Sequence, residues 1–200
     1  MVLQHKNDHH TKLSTSRMEA FSDGVIAIII TITVLEFRVP AGGDLASLLP
    51  LWPLFVAYLI SFQNIGTYWN NHHYLLSTTD HISPGMMWAN LHLLFWLSFI
   101  PFATGWLGEN HGSAVPTAVY ATILFFCAVA YTILQLSVLY HADNKEMIEE
   151  IRKSKKGRTS LLFYLAAIPL AFLSPLISDV LIILVSALWF IPDRRLERFL

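Results

Sequence analysis

Four apolar runs, each long enough to cross a bilayer, decide what this chain can fold into. They cover 18–39, 48–71, 86–107 and 116–140. A helix needs about 20 mostly apolar residues to cross a hydrocarbon core of roughly 30 Å, where a backbone amide without a partner is costly. The breaks between the runs are short and rich in turn formers: Pro40, Gly42, Gly43 and Asp44, then Ser83, Pro84 and Gly85, then Gly108, Asn110 and Gly112. They leave no room for a soluble domain, so an all-α membrane protein is expected. Charged residues make up only 14% of the chain, against roughly a quarter in soluble domains. The net charge of -1 excludes a globally basic nucleic-acid binder.

A fifth apolar region at 161–191 is interrupted near its middle by Ser174, Pro175, Ser178 and Asp179. It reads as a helical hairpin whose arms, about 15 residues each, are short for a full crossing. With both arms crossing, the layout has six transmembrane helices. Twelve of the thirteen Lys and Arg residues then fall on one side, in the leader, in the loop holding Lys145 to Arg158 and in the tail, with Arg38 alone on the other. The positive-inside bias therefore predicts a multi-pass protein of the cell membrane with both termini cytoplasmic. The expected organisation is a leader over 1–16, one membrane domain over 17–192 and a basic tail over 193–200. A cleavable signal peptide is not expected, because Asp23 and Glu36 interrupt the flanks of the first run and further apolar runs follow. His5, His9 and His10 read as part of a solvated leader. Cys127, the sole cysteine, permits no disulfide within the chain and reads as a small packed hydrophobe. Trp52, Trp69, Trp88, Trp106 and Trp189 near the span ends read as interfacial anchors.

Three polar clusters fall at one depth in this topology. They are Arg17, Ser22 and Asp23 on the first helix, Asn70, Asn71, His72 and His73 on the second, and Asn90 and His92 on the third. Ionisable groups in a span are costly unless paired or hydrated. Their simplest role is to fasten three helices together by buried hydrogen bonds, with Asp23, His73 and Asn90 as the main candidates. A metal site built on His72, His73, Asp80 and His81 is poorly supported, since adjacent histidines point about 100° apart on a helix. No metal and no cofactor are expected.

On the first helix, Gly24, Ile28, Thr31 and Leu35 fall within about 40° of one line. Asp23 lies about 100° away, facing neighbouring helices. Periodicity alone makes the stripe a packing surface. A hydrophobic constriction followed by a ring of hydroxyls would also suit a pore wall assembled from several copies, although a helical threonine often bonds back to its own turn.

Arg17, Phe21, Ser22 and Asp23, in the run RMEAFSDGVIAIIITITVLE, match the RxxxFSD signature of the endosomal and lysosomal potassium channel family. WNNHHYLL at 69–76, WANLHLLFWLSFIPF at 88–102 and FIPDRR at 190–195 also resemble its bacterial members. The resemblance implies a potassium-permeable cation channel, a homotetramer of six-helix subunits with the first helices lining a central pore. It puts the hydrophobic gate at Ile28, a selectivity-linked threonine at Thr31 and the outer continuation of the pore at Leu35. It further implies that the FSD segment is held by polar residues of the second and third helices, expected here at His73 and Asn90. Ala27 stands where some members carry a hydroxyl.

The expected partners are thus potassium ions, the lipid bilayer and further copies of the chain, with no nucleic acid and no catalysis. A proton-coupled secondary transporter using Asp23 and a histidine as relay is the alternative, and the absence of a broken-helix pair speaks against it. An intramembrane metal-dependent hydrolase using His72, His73, His92 and Asp23 is the third class.

Overall fold

The computed structural model describes residues 15–79, 81–142, 148–149, 151 and 153–190, and all regular structure among them is helical. Asp80, Lys6 and Lys12 of the leader, Lys145, Arg152 and the tail lie outside the described residues. Helix α1 spans Thr15–Thr33 and ends in a 3-10 turn at Val34–Glu36. A second 3-10 segment, Leu45–Leu51, leads into α2, Trp52–Leu76. Asp44 starts that segment by accepting the Ser47 amide at 3.0 Å, and Pro53 occupies the first turn of α2, where no amide donor is needed. The third run is divided into α3, Pro84–Leu97, and α4, Ile100–Glu109. Helix α5 covers Ala114–His141, α6 Lys156–Leu173 and α7 Pro175–Phe190.

The expected spans are recovered with shifted ends. The first leaves helical geometry after Glu36 rather than at Val39, and the second extends to Leu76, so that Asn70 to His73 lie inside α2. The break at Ser98 and Phe99 in the third was not anticipated. Its cause is Pro101, which has no amide to offer the Leu97 carbonyl and cannot continue an α-helical ladder. The break between α6 and α7 has the same origin at Pro175, with Ser174 extended before it. The hairpin arms are 18 and 16 residues, longer than expected.

Four helical stretches, Thr15–Glu36, Leu45–Leu76, Pro84–Glu109 and Ala114–His141, are long and apolar enough to cross a membrane, and Pro175–Phe190 is a shorter apolar helix. Helix α5 packs most extensively on α6 and α3, α6 packs on α7, and α2 packs on α4. Fully buried Ile65, Leu93, Leu97, Ile100, Leu124, Leu134 and Ile182 fill the centre, while large apolar residues such as Phe95, Leu136, Phe172 and Leu184 line the outside. An apolar exterior is what a bilayer solvates. Gly108 sets how closely α4 approaches α2, since a Cβ there would lie 2.6 Å from the Leu54 Cα.

Buried polar side chains tie the bundle to α2. Ser61 of α2 bonds Thr104 of α4 at 2.6 Å and Tyr120 of α5 at 2.7 Å. Asn64, one turn on, donates to Ser186 of α7 at 3.0 Å and accepts from Tyr164 of α6 at 3.1 Å. Thr104, Ser186 and Asn64 also donate to carbonyls of their own helices, so the interhelical contacts add register and adhesion to groups that are already paired locally. Helix α2 is therefore a hub, and its Trp69 and His73 reach α1.

Candidate functional site

Helix α1 has two distinct faces. Met18, Ser22, Ile26, Ile29 and Thr33 are buried, and they recur at three- and four-residue steps as one side of a helix must. Ser22 donates to the Met18 carbonyl at 2.8 Å and Thr33 to the Ile29 carbonyl at 2.6 Å, which pairs both hydroxyls within the helix.

The Ser22 oxygen also accepts from Nδ2 of Asn90 on α3 at 2.9 Å. With its amide so used, Asn90 presents its carbonyl oxygen to Nε2 of His72 on α2 at 2.8 Å. His72 therefore carries its proton on Nε2. Ser22, His72 and Asn90 are all buried, and one three-residue chain of hydrogen bonds joins α1, α2 and α3.

A second set of contacts runs along the exposed flank. Trp69 Nε1 donates to Asp23 at 3.0 Å, and His73 Nδ1 meets Glu19 at 2.5 Å. Glu19 and Asp23 are one turn apart on α1, as are Trp69 and His73 on α2. The two helices run antiparallel, so the pairs form successive rungs. His73 thus meets Glu19 rather than the FSD segment, and the histidine that reaches this segment, through Asn90, is His72. This differs from the expectation of His73, because adjacent helical residues point about 100° apart and the rotation of α2 turns His72, not His73, toward α3. Trp69, read as an interfacial anchor, holds Asp23, and Trp189 donates to Ser160 at 3.0 Å. Arg17 and Phe21 are exposed, and Arg17 makes no ion pair with Asp23.

Among the described residues, no three His, Cys, Asp or Glu side chains are grouped to hold a metal ion. His72 and His73 turn to different partners, and His92 accepts from Trp96 within its own helix at 3.0 Å.

The other face of α1 carries Gly24, Ala27, Ile28, Thr31 and Leu35, all exposed, with Ile28 at 60% and Leu35 at 76%. A Cβ added at Gly24 would meet nothing within 4 Å. The Thr31 hydroxyl bonds back to its own helix, 3.0 Å from the Ala27 carbonyl and 2.9 Å from that of Ile28. Its single proton is thereby directed at the carbonyls of its own helix, and both oxygen lone pairs stay available to accept.

The sequence matches the family described as endosomal/lysosomal potassium channel TMEM175 over residues 17–101. A potassium channel of Chryseobacterium sp. (strain P1-3) is 46% identical over 189 residues, which cover 94% of this chain and 98% of that protein. The chain belongs to the TMEM175 family. A potassium channel of Chamaesiphon minutus is 36% identical over 175 residues, covering 80% of this chain and 85% of that one. The crystal structure of a lysosomal potassium-selective channel TMEM175 homolog from Chamaesiphon minutus superposes with a TM-score of 0.76 at 34% identity, covering 88% of this chain and 95% of that one. TMEM175 is a family of ion channels, and this member, with its several apolar helices, is a membrane protein. The matched segment 17–101 contains both faces of α1 and every partner of Ser22, Asp23 and Glu19 described above.

Proposed function

We propose that this protein is a potassium-permeable cation channel that conducts passively through a central pore lined by α1 of four copies. The observation that carries this reading is the exposed line Gly24, Ile28, Thr31 and Leu35 on a helix whose opposite side is fastened to its own chain. One such helix cannot enclose a pore, so the line acquires a role only when copies face one another about an axis. In that arrangement a ring of Ile28 side chains forms a constriction that gates by dewetting. One turn further, the outward lone pairs of Thr31 replace part of the hydration shell of a dehydrating potassium ion. Leu35 and Gly24 continue the wall on either side. The relatives named as potassium channels support the ion assignment.

In the same reading both arms of the α6 and α7 hairpin cross, giving six transmembrane helices over 17–192 in the cell membrane. The leader over 1–16 and the basic tail over 193–200 are cytoplasmic. Ser22, Asn90 and His72, with the two rungs Asp23–Trp69 and Glu19–His73, set the rotation of α1, so that the uncharged line rather than the acidic flank meets the ions.

Flux from reconstituted proteoliposomes tests this. Ile28→Asn hydrates the constriction and is expected to raise both potassium and sodium leak severalfold. Thr31→Val, which keeps the side-chain bulk and removes the hydroxyl, is expected to lower the preference for potassium over sodium at unchanged protein stability. Flux equal to wild type in both variants would remove α1 from the conduction path.

A further inference from the structure

On the side of α2 that turns away from α1, a cavity of about 390 Å³ opens between α2, α5 and α6. Its wall is polar where Asn71 and Gln135 line it, basic at Lys156 and Arg158, and apolar at Leu136 and Leu139. Among the described lining residues two carry a cation and none a carboxylate, a donor set that favours an anion. The Lys156 ammonium sits 5.5 Å from the centroid of the Trp189 ring, which holds it against the wall. Helix α6 starts at Lys156 with neither a side-chain cap nor an acidic residue in its first turn, and its N-terminal amides add to the same potential.

The cavity has two kinds of opening. Arg158 is exposed at the basic end, whereas Leu136, which lines the cavity from α5, is 59% exposed on the apolar flank of the bundle. A ligand that fits both is an amphiphile, with an anionic head against the cations and a hydrocarbon portion leaving past Leu136. We propose that this cavity binds a phosphate ester, with an anionic phospholipid as its source. The phosphate oxygens accept from Arg158, Lys156 and the side-chain amide of Gln135, and the acyl chains run along the outside of α5. Basic pockets between helices at a membrane surface have the field that such headgroups require. Asn71 adjoins His72, and its carbonyl accepts from Tyr131 at 3.1 Å, so an occupied cavity lies against the stretch of α2 that holds α1.

The test is lipid retention, which is independent of ion flux and so can fail while the channel assignment stands. Purified protein is equilibrated with equal amounts of phosphatidylglycerol and phosphatidylcholine, and retained lipid is counted by native mass spectrometry. Wild type is expected to keep phosphatidylglycerol in preference to phosphatidylcholine. Lys156→Gln with Arg158→Gln is expected to reduce that preference about tenfold or more, and Arg158→Gln alone to reduce it less. Lys155→Gln, exposed and outside the lining, is expected to leave it unchanged. A parallel arm titrates lipid-free glycerol phosphate into delipidated protein. Saturable binding there that the double variant loses, with no lipid preference, assigns the same site to a soluble phosphate ester. Equal retention of both lipids by wild type without glycerol phosphate binding overturns the proposal, as does an undiminished preference in the double variant.

Discussion

The two faces of α1 have nearly the same composition and opposite relations to the rest of the chain. One side, through Ser22, Ile26, Ile29 and Thr33, is buried against its own bundle, and Ser22 is tied by Asn90 to His72. The other, through Gly24, Ile28, Thr31 and Leu35, touches so little of its own chain that even the backbone at Gly24 has open space before it. Both faces mix aliphatic residues with hydroxyls, Ser22 and Thr33 on the one and Thr31 on the other. They differ in where the polar partners stand: α2 and α3 present a histidine, an indole and an amide to one side and nothing to the other. A helix can thus be anchored firmly and still keep one face free, which is what a pore shared between copies requires.

The contrast is broken most severely at Asn90. Asn90→Leu removes the partner of Ser22 and of His72 together and leaves two buried polar groups without an interhelical bond. A loss of about 1–3 kcal/mol is expected, read as a lower thermal unfolding midpoint in detergent. Ser22→Ala in the Asn90→Leu background should add little, because the shared bond is already gone.

A pair of glycines sharpens the contrast with a smaller effect. Gly108→Ala drives a methyl against the Leu54 backbone and is expected to cost about 1–2 kcal/mol as α4 shifts to make room. Gly24→Ala adds the same methyl where nothing stands within 4 Å, and its unfolding free energy should stay within about 0.5 kcal/mol of wild type. If Gly24→Ala destabilised the isolated chain as much as Gly108→Ala, the exposed face would not be free.

Much of this is legible in the sequence, because membrane spans are written in long apolar runs and a helix face follows from angle alone. Gly24, Ile28, Thr31 and Leu35 fall on one side by arithmetic, and that side is the exposed one. Tertiary register was not legible. Whether His72 or His73 turns toward α3 depends on a rotation of α2 set by Ser61 and Asn64 against four other helices, and neither residue stood out in an apolar run. Glu19 and Trp69 carried a usable signal, since each lies one turn from a residue already singled out, Asp23 and His73. The hinge at Ser98 and Phe99 was also readable from Pro101, but hydropathy alone smooths over it.

The most direct measurement of the central claim, that the free face of α1 borders water rather than lipid, is thiol accessibility in the reconstituted protein. Cys127 is buried, so cysteines introduced one at a time report for themselves. With a charged, membrane-impermeant thiol reagent, Thr31→Cys and Leu35→Cys are expected to react readily and to lose potassium flux on modification. Leu165→Cys, on an exposed apolar position of α6, is expected to react slowly and without consequence. Reaction of Thr31→Cys and Leu35→Cys as slow as that of Leu165→Cys, with flux intact, would contradict the account.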